Sequence, residues 1–207
     1  MATDTEIAIG AVNLEVDEIL RALSKLRATL KFDDNLMIYY AGHGLLDDLG
    51  QQGYWLPVDA EDGIPTNWIS TSDITVMLRA IRAKHAMVVA DSCYSGTLVR
   101  DGATPPRTAE EKRAWIKRIL GKRSRVALVS GGLEPVADGG GDGRHSVFAS
   151  AFINALNRNT GVIEGRELFD RIKRPVVLNS DQTPRYSDIR RAGHDGGDFL
   201  LIRRQSP

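Results

Sequence analysis

Three short runs of the chain are apolar at nearly every position: residues 36–40, 86–90 and 126–129. A strand with one solvated face alternates apolar and polar residues, so a continuous apolar run implies a strand covered on both faces. Their side chains also favour extended backbone. Around them lie helical signals. Residues 13–30 carry Val16, Ile19, Leu20, Leu23, Leu26 and Leu30, mostly three or four apart, as an amphipathic helix does. Residues 72–82 follow a Ser/Thr-rich start, residues 108–120 run from acidic to basic, and residues 146–157 form a third helical stretch. A further helix is expected over 165–173 and a late strand over 198–203. Strands alternating with helices predict an α/β fold with a parallel sheet and right-handed crossovers.

With 207 residues and 42% hydrophobic content, the chain suffices for one well-buried core and is short for two, so a single domain over 1–207 is expected. The 27 basic and 27 acidic residues cancel, which removes the bulk positive field that non-specific nucleic-acid or anionic-membrane binding needs. No apolar run approaches the roughly 20 residues that span a bilayer. The N-terminus, with Asp4 and Glu6 and no basic start, does not read as a signal peptide, so a cytoplasmic location is expected. One cysteine, Cys93, makes neither an internal disulfide nor a multi-cysteine zinc site; it is packing or a reactive thiol. Residues 100–107 and 138–144 have the composition of loops, which often shape or gate a site on an α/β scaffold.

In a parallel sheet the strands finish on one edge, and ligands bind outside those carboxyl ends. The first run leads into Ala41-Gly42-His43-Gly44 and the second into Asp91-Ser92-Cys93-Tyr94-Ser95-Gly96, so His43 and Cys93 fall three residues beyond their strands on the same edge. A thiol becomes a good nucleophile when deprotonated, and a nearby histidine serves as base and later protonates the leaving amine. Gly42 and Gly44 permit a sharp turn and close approach to a substrate, and the amides of Gly44 and Cys93 can form an oxyanion hole. By residue type alone, a single cysteine is more often buried packing; the polar, glycine-flanked setting reverses that. His85 precedes its strand and lies at the wrong edge, while His145 and His194 sit in glycine-rich stretches as weaker competitors. Asp91 points the same way as Cys93 in extended chain. It either receives a cationic side chain or caps backbone amides at a strand end; as a zinc ligand it lacks companions.

The stretches Tyr39-Tyr40-Ala41-Gly42-His43-Gly44 and, some fifty residues later, Asp91-Ser92-Cys93-Tyr94-Ser95-Gly96 together resemble the catalytic pair of caspase-like cysteine peptidases, most closely bacterial orthocaspases and metacaspases. Gly53-Tyr54-Trp55-Leu56-Pro57-Val58-Asp59, Ser130-Gly131-Gly132, His145-Ser146-Val147-Phe148 and Gly193-His194-Asp195-Gly196-Gly197-Asp198-Phe199 extend the likeness over roughly residues 30 to 203. The resemblance implies a three-layer α/β/α caspase-hemoglobinase fold with a mostly parallel central sheet. It divides the chain into a part like a large subunit (about 1–100), a linker and helix (about 100–124) and a part like a small subunit (about 125–207). It implies His43 as general base and acid, Cys93 as nucleophile, and the amides of Gly44 and Cys93 as oxyanion donors. Asp91 and Ser130 bind substrate in this likeness, and an acidic residue at 91 implies cleavage after Arg or Lys.

The family's fold normally begins with a strand ahead of the first helix. Residues 5–12 are short and weakly strand-like, so this strand is missing, was removed, or is supplied by residues 6–11, and the second acidic pocket residue is unassigned. Basic residues from Arg100 to Arg123 offer sites for self-processing, although a solvated helix face explains such charges equally well. Polypeptide substrate is the expected partner, with a regulatory domain or protein as restraint. No cofactor is expected. Calcium activation is known in some metacaspases, and Asp47, Asp48, Asp59, Glu61 and Asp62 are oxygen donors without EF-hand spacing. Two other readings stand beside a peptidase: a catalytically silent interaction module and a Cys/His amidase.

Overall fold

The three doubly apolar runs form neighbouring strands of one sheet. The computed structural model describes residues 12–47, 49, 51–92, 109–131 and 145–203. In chain order these form α1 (Val16–Thr29), β1 (Asn35–Ala41), β2 (His43–Asp47), β3 (Gln52–Leu56), β4 (Ile69–Ser70), α2 (Thr71–Ala80) and β5 (His85–Asp91). There follow α3 (Ala109–Leu120), β6 (Ser124–Val129), α4 (Val147–Asn157), β7 (Val162–Glu164), α5 (Gly165–Asn179), β8 (Arg185–Asp188) and β9 (Leu200–Ile202). The main sheet has the order β1-β5-β6-β8, with β1, β5 and β6 parallel and β8 antiparallel to β6. A candidate first strand at 6–11 and the loops at 100–107 and 138–144 lie outside the described residues.

The alternation of side chains along each strand explains why the central runs are apolar throughout. Ala86, Val88 and Ala90 of β5 and Ala127 and Val129 of β6 face one layer, where Leu23 and Leu26 of α1 meet Ile74 and Leu78 of α2. Met87, Val89, Val126 and Leu128 face the other, packed on Phe148 and Phe152 of α4 and Leu168, Ile172 and Val176 of α5. The result is the expected α/β/α sandwich. Each fully buried valine or leucine contributes about 1.5–3 kcal/mol relative to exposure.

The helices start where their caps dictate. Ser70 accepts from Asp73 N at 2.9 Å and Ser146 from Ala149 N at 2.9 Å, opening α2 and α4. At α1 the Glu15 and Glu18 side chains form a capping box. Asp59 adds a longer-range cap, accepting from Val16 N at 2.9 Å.

Three features depart from expectation. The segment after β1 is a second, antiparallel sheet in the order β2-β3-β4, so His43 begins a strand not anticipated from sequence. Helix α5 runs through Pro175 to Asn179, past the anticipated stop at 173. A proline costs a helix one hydrogen bond, but Val176, fully buried among α4 and α5 residues, holds the next turn against the core. The late strand, β9, joins β7 in a separate two-stranded sheet.

Gly165 opens α5 where Tyr186 hydrogen-bonds to buried Asp198. A Cβ at 165 would overlap the Tyr186 hydroxyl and lie 2.8 Å from Asp198 Oδ1. Gly165→Ala is therefore expected to destabilise the protein by about 1–3 kcal/mol. Urea unfolding would show a lower midpoint at constant m; an unchanged midpoint would contradict this packing.

Candidate active site

The register of β1 on β5 ends with Ala41 opposite Asp91, and Gly42 N donates to Asp91 O at 3.4 Å. The carboxyl ends of the two strands thus lie side by side, as parallel neighbours about 4.8 Å apart do. His43, two residues past Ala41, is exposed and pairs with Leu56 as the first residue of β2. Gly44 follows it opposite Trp55. Cys93, two residues past Asp91, lies outside the described residues.

Two aromatic residues set the backbone of His43. Tyr40 shares its hydroxyl proton between the carbonyls of His43, at 2.7 Å, and Leu56, at 3.3 Å. Its ring lies flat on Trp55, with centroids 4.2 Å apart and planes 4° from parallel. Burial pushes the Tyr40 hydroxyl well above its ordinary pKa, so it remains a donor. Sequence reasoning assigned Gly42 to a sharp turn and approach to substrate. Its observed constraint is internal: a Cβ there would come 2.8 Å from the Tyr40 hydroxyl oxygen and 2.9 Å from Cζ.

Asp91 closes β5 with only 6% of its surface exposed. Its Oδ2 accepts from Ser146 Oγ at 2.5 Å and from Tyr39 OH at 3.5 Å. Both of these donors are side-chain hydroxyls. The Tyr39 hydroxyl is pushed up by burial, and further by the Asp91 charge and hydrogen bond. Tyr39 and Ser146 both stand inside the family-like stretches, but sequence alone assigns neither a role in the site. Ser146 was visible as the start of a helix, but its bond to a residue 55 positions away has no local signal. Ser130 follows β6 with no exposed surface, and its N donates to Ala90 O at 3.0 Å, one residue from Asp91.

The other histidines separate by edge. His85 is the first residue of β5, at the opposite end of the strand from Asp91, and burial followed by Lys84 holds its pKa down. His194 Nδ1 accepts from Arg125 N at 3.2 Å near the start of β6, so it too sits at the amino edge. His145 adjoins Ser146 and is exposed, which leaves it near Asp91.

Of the oxygen donors considered for calcium, Asp47 accepts from Leu49 N at 3.0 Å and Asp59 caps α1, while Asp48 lies outside the described residues. Among the described residues no three His, Cys, Asp or Glu side chains stand close enough to hold a metal ion, and no helix is long and apolar enough to cross a membrane.

Comparison with known proteins agrees with this architecture. A crystal structure of protein GSU0716 from Geobacter sulfurreducens superposes with a TM-score of 0.53 at 20% identity, covering 82% of this chain and 71% of that one. At that identity the likeness concerns the fold. No curated protein matches the chain. The family model described as the caspase domain matches residues 6–192, nearly the whole chain. With the layered sheet, its strand order and this match together, the chain belongs to the caspase-domain family of cysteine peptidases.

Proposed function

We propose that the chain is a cysteine endopeptidase in which Cys93 attacks a peptide carbonyl after Arg or Lys and His43 moves the proton. His43 takes the thiol proton, the thiolate adds to the carbonyl carbon, and the oxyanion is met by the amides of Gly44 and Cys93. Collapse breaks the C–N bond as the imidazolium protonates the leaving amine, and water then hydrolyses the thioester. The observation that carries this reading is the strand register. Ala41 and Asp91 are partners, and the histidine and the cysteine each follow their partner by two residues.

Specificity is assigned to Asp91, with Ser130 beside it at the carboxyl edge. A buried carboxylate already served by hydroxyl donors is prepared to take a guanidinium or ammonium group. The test is a peptide-library cleavage profile with and without calcium. Peptidyl-arginine and peptidyl-lysine should dominate. Asp91→Ala is expected to lower kcat/KM for peptidyl-arginine on the order of 10²-fold, within the range for removing one partner of a buried, hydrogen-bonded charge pair. An unchanged arginine preference would remove Asp91 from this role. A folded chain without turnover under any of these conditions would instead support a silent interaction module, and turnover of small amides alone would support an amidase.

A further inference from the structure

We propose that Ser146 is a positioning residue for substrate selection, holding the Asp91 carboxylate in the orientation that receives the cationic side chain. This inference rests on the reading of Asp91 as the specificity carboxylate. It concerns a residue on a different element, 55 positions later in the chain.

The geometry limits what the Ser146 hydroxyl can do. It has one proton and accepts from Ala149 N at 2.9 Å as the cap of α4, so its proton is available to Asp91 Oδ2, 2.5 Å away. That separation is in the range of a charge-assisted O–H···O⁻ bond. The same hydroxyl therefore links the positive amino end of α4 to the carboxylate.

Both partners are anchored. Asp91 ends a fully buried strand whose backbone is paired with β1, and α4 is fixed to the sheet by Phe148 and Phe152, which are 0% and 5% exposed. Tyr39, the second donor to Oδ2, packs its ring 5.6 Å from that of Phe152, tying the same helix to β1. A carboxylate at the end of a strand has two side-chain torsions to settle. The hydroxyl on the neighbouring helix settles them before a substrate arrives, which reduces the ordering cost of binding.

Binding of benzamidine, a guanidinium-like probe that needs no turnover, and kinetics on peptidyl-arginine amides test the proposal together. Ser146→Gly removes the donor at a position where glycine caps a helix almost as well as serine. It is expected to weaken benzamidine binding and raise KM by about tenfold, the lower range for a hydrogen bond to a charged group, with kcat within about twofold of wild type. Ser146→Thr keeps both cap and hydroxyl and should restore both values. A purely structural serine would lower kcat or thermal stability and leave benzamidine affinity unchanged, and that pattern overturns the proposal. Asp91→Ala separates the two levels. If it too leaves benzamidine affinity unchanged, the specificity reading fails and the positioning role with it. If Asp91→Ala abolishes binding while Ser146→Gly binds like wild type, the positioning role alone is wrong.

Discussion

Cys93→Ala is expected to lower kcat/KM on peptidyl-arginine substrates by at least about 10⁴-fold, because no other cysteine in the chain can form the thioester. His43→Ala should cost less, about 10²–10⁴-fold, the usual contribution of general acid–base catalysis. The difference is diagnostic of roles: the nucleophile makes the covalent bond, whereas the base is partly replaceable by solvent. His145 provides the internal control, since it is exposed and adjoins Ser146. His145→Ala should retain turnover within a few-fold. The measurement is steady-state hydrolysis by each variant, with circular dichroism to verify folding. A Cys93→Ala protein that still cleaves would end the peptidase reading, and loss of activity in His145→Ala with retention in His43→Ala would reassign the base.

Arg125→Ala is expected to destabilise the fold by about 3–5 kcal/mol, the cost of leaving several buried carbonyls without their donor. At this chain length that corresponds to a fall in Tm of about 6–20 °C. Arg125 has no exposed surface, and its five N–H groups all go to main-chain carbonyls. Nε donates to Leu78 O, Nη1 to Lys84 O and Ser124 O, and Nη2 to Ile81 O and Ala83 O, at 2.6–3.2 Å. The guanidinium thereby joins the end of α2, the segment before β5 and the start of β6. Burial, and then the neighbouring Arg123 charge, lower its pKa to about 10, so it remains protonated at neutral pH. Lysine has three donors on one atom and cannot reproduce the fork, so Arg125→Lys should also be destabilised. Thermal unfolding of both variants is the check, and wild-type stability in either would refute the network's importance. Since Arg125 lies at the amino edge, arginine preference should survive in the folded fraction.

The central sheet was legible because burial on both faces leaves its own mark: β5 and β6 are buried at every residue and apolar along most of their length. The helices were legible from periodicity and from starts such as Ser146. The strands of the β2-β3-β4 sheet were not. His-Gly-Leu-Leu-Asp and Gln-Gly-Tyr-Trp-Leu carry no clear alternation, and their pairing is set by contacts such as Tyr40 on Trp55. β8, Arg-Tyr-Ser-Asp, is short and polar; it exists as the partner of β6. The same division holds at the site. His43, Asp91 and the edge they share follow from local sequence and strand direction. The hydroxyls of Ser146 and Tyr39 reach Asp91 only through packing of α4 and β1 on β5, which local sequence does not encode.

The close approach of Tyr40 to Gly42 also constrains how relatives of this chain diverge. A side chain at position 42 forces the phenol of Tyr40 to shift, and that phenol lies flat on the Trp55 ring. Substitutions at 40, 42 and 55 should therefore covary. A homologue with alanine at 42 and tyrosine at 40 would keep an intact His-Gly pair in its sequence while holding that histidine in a different place.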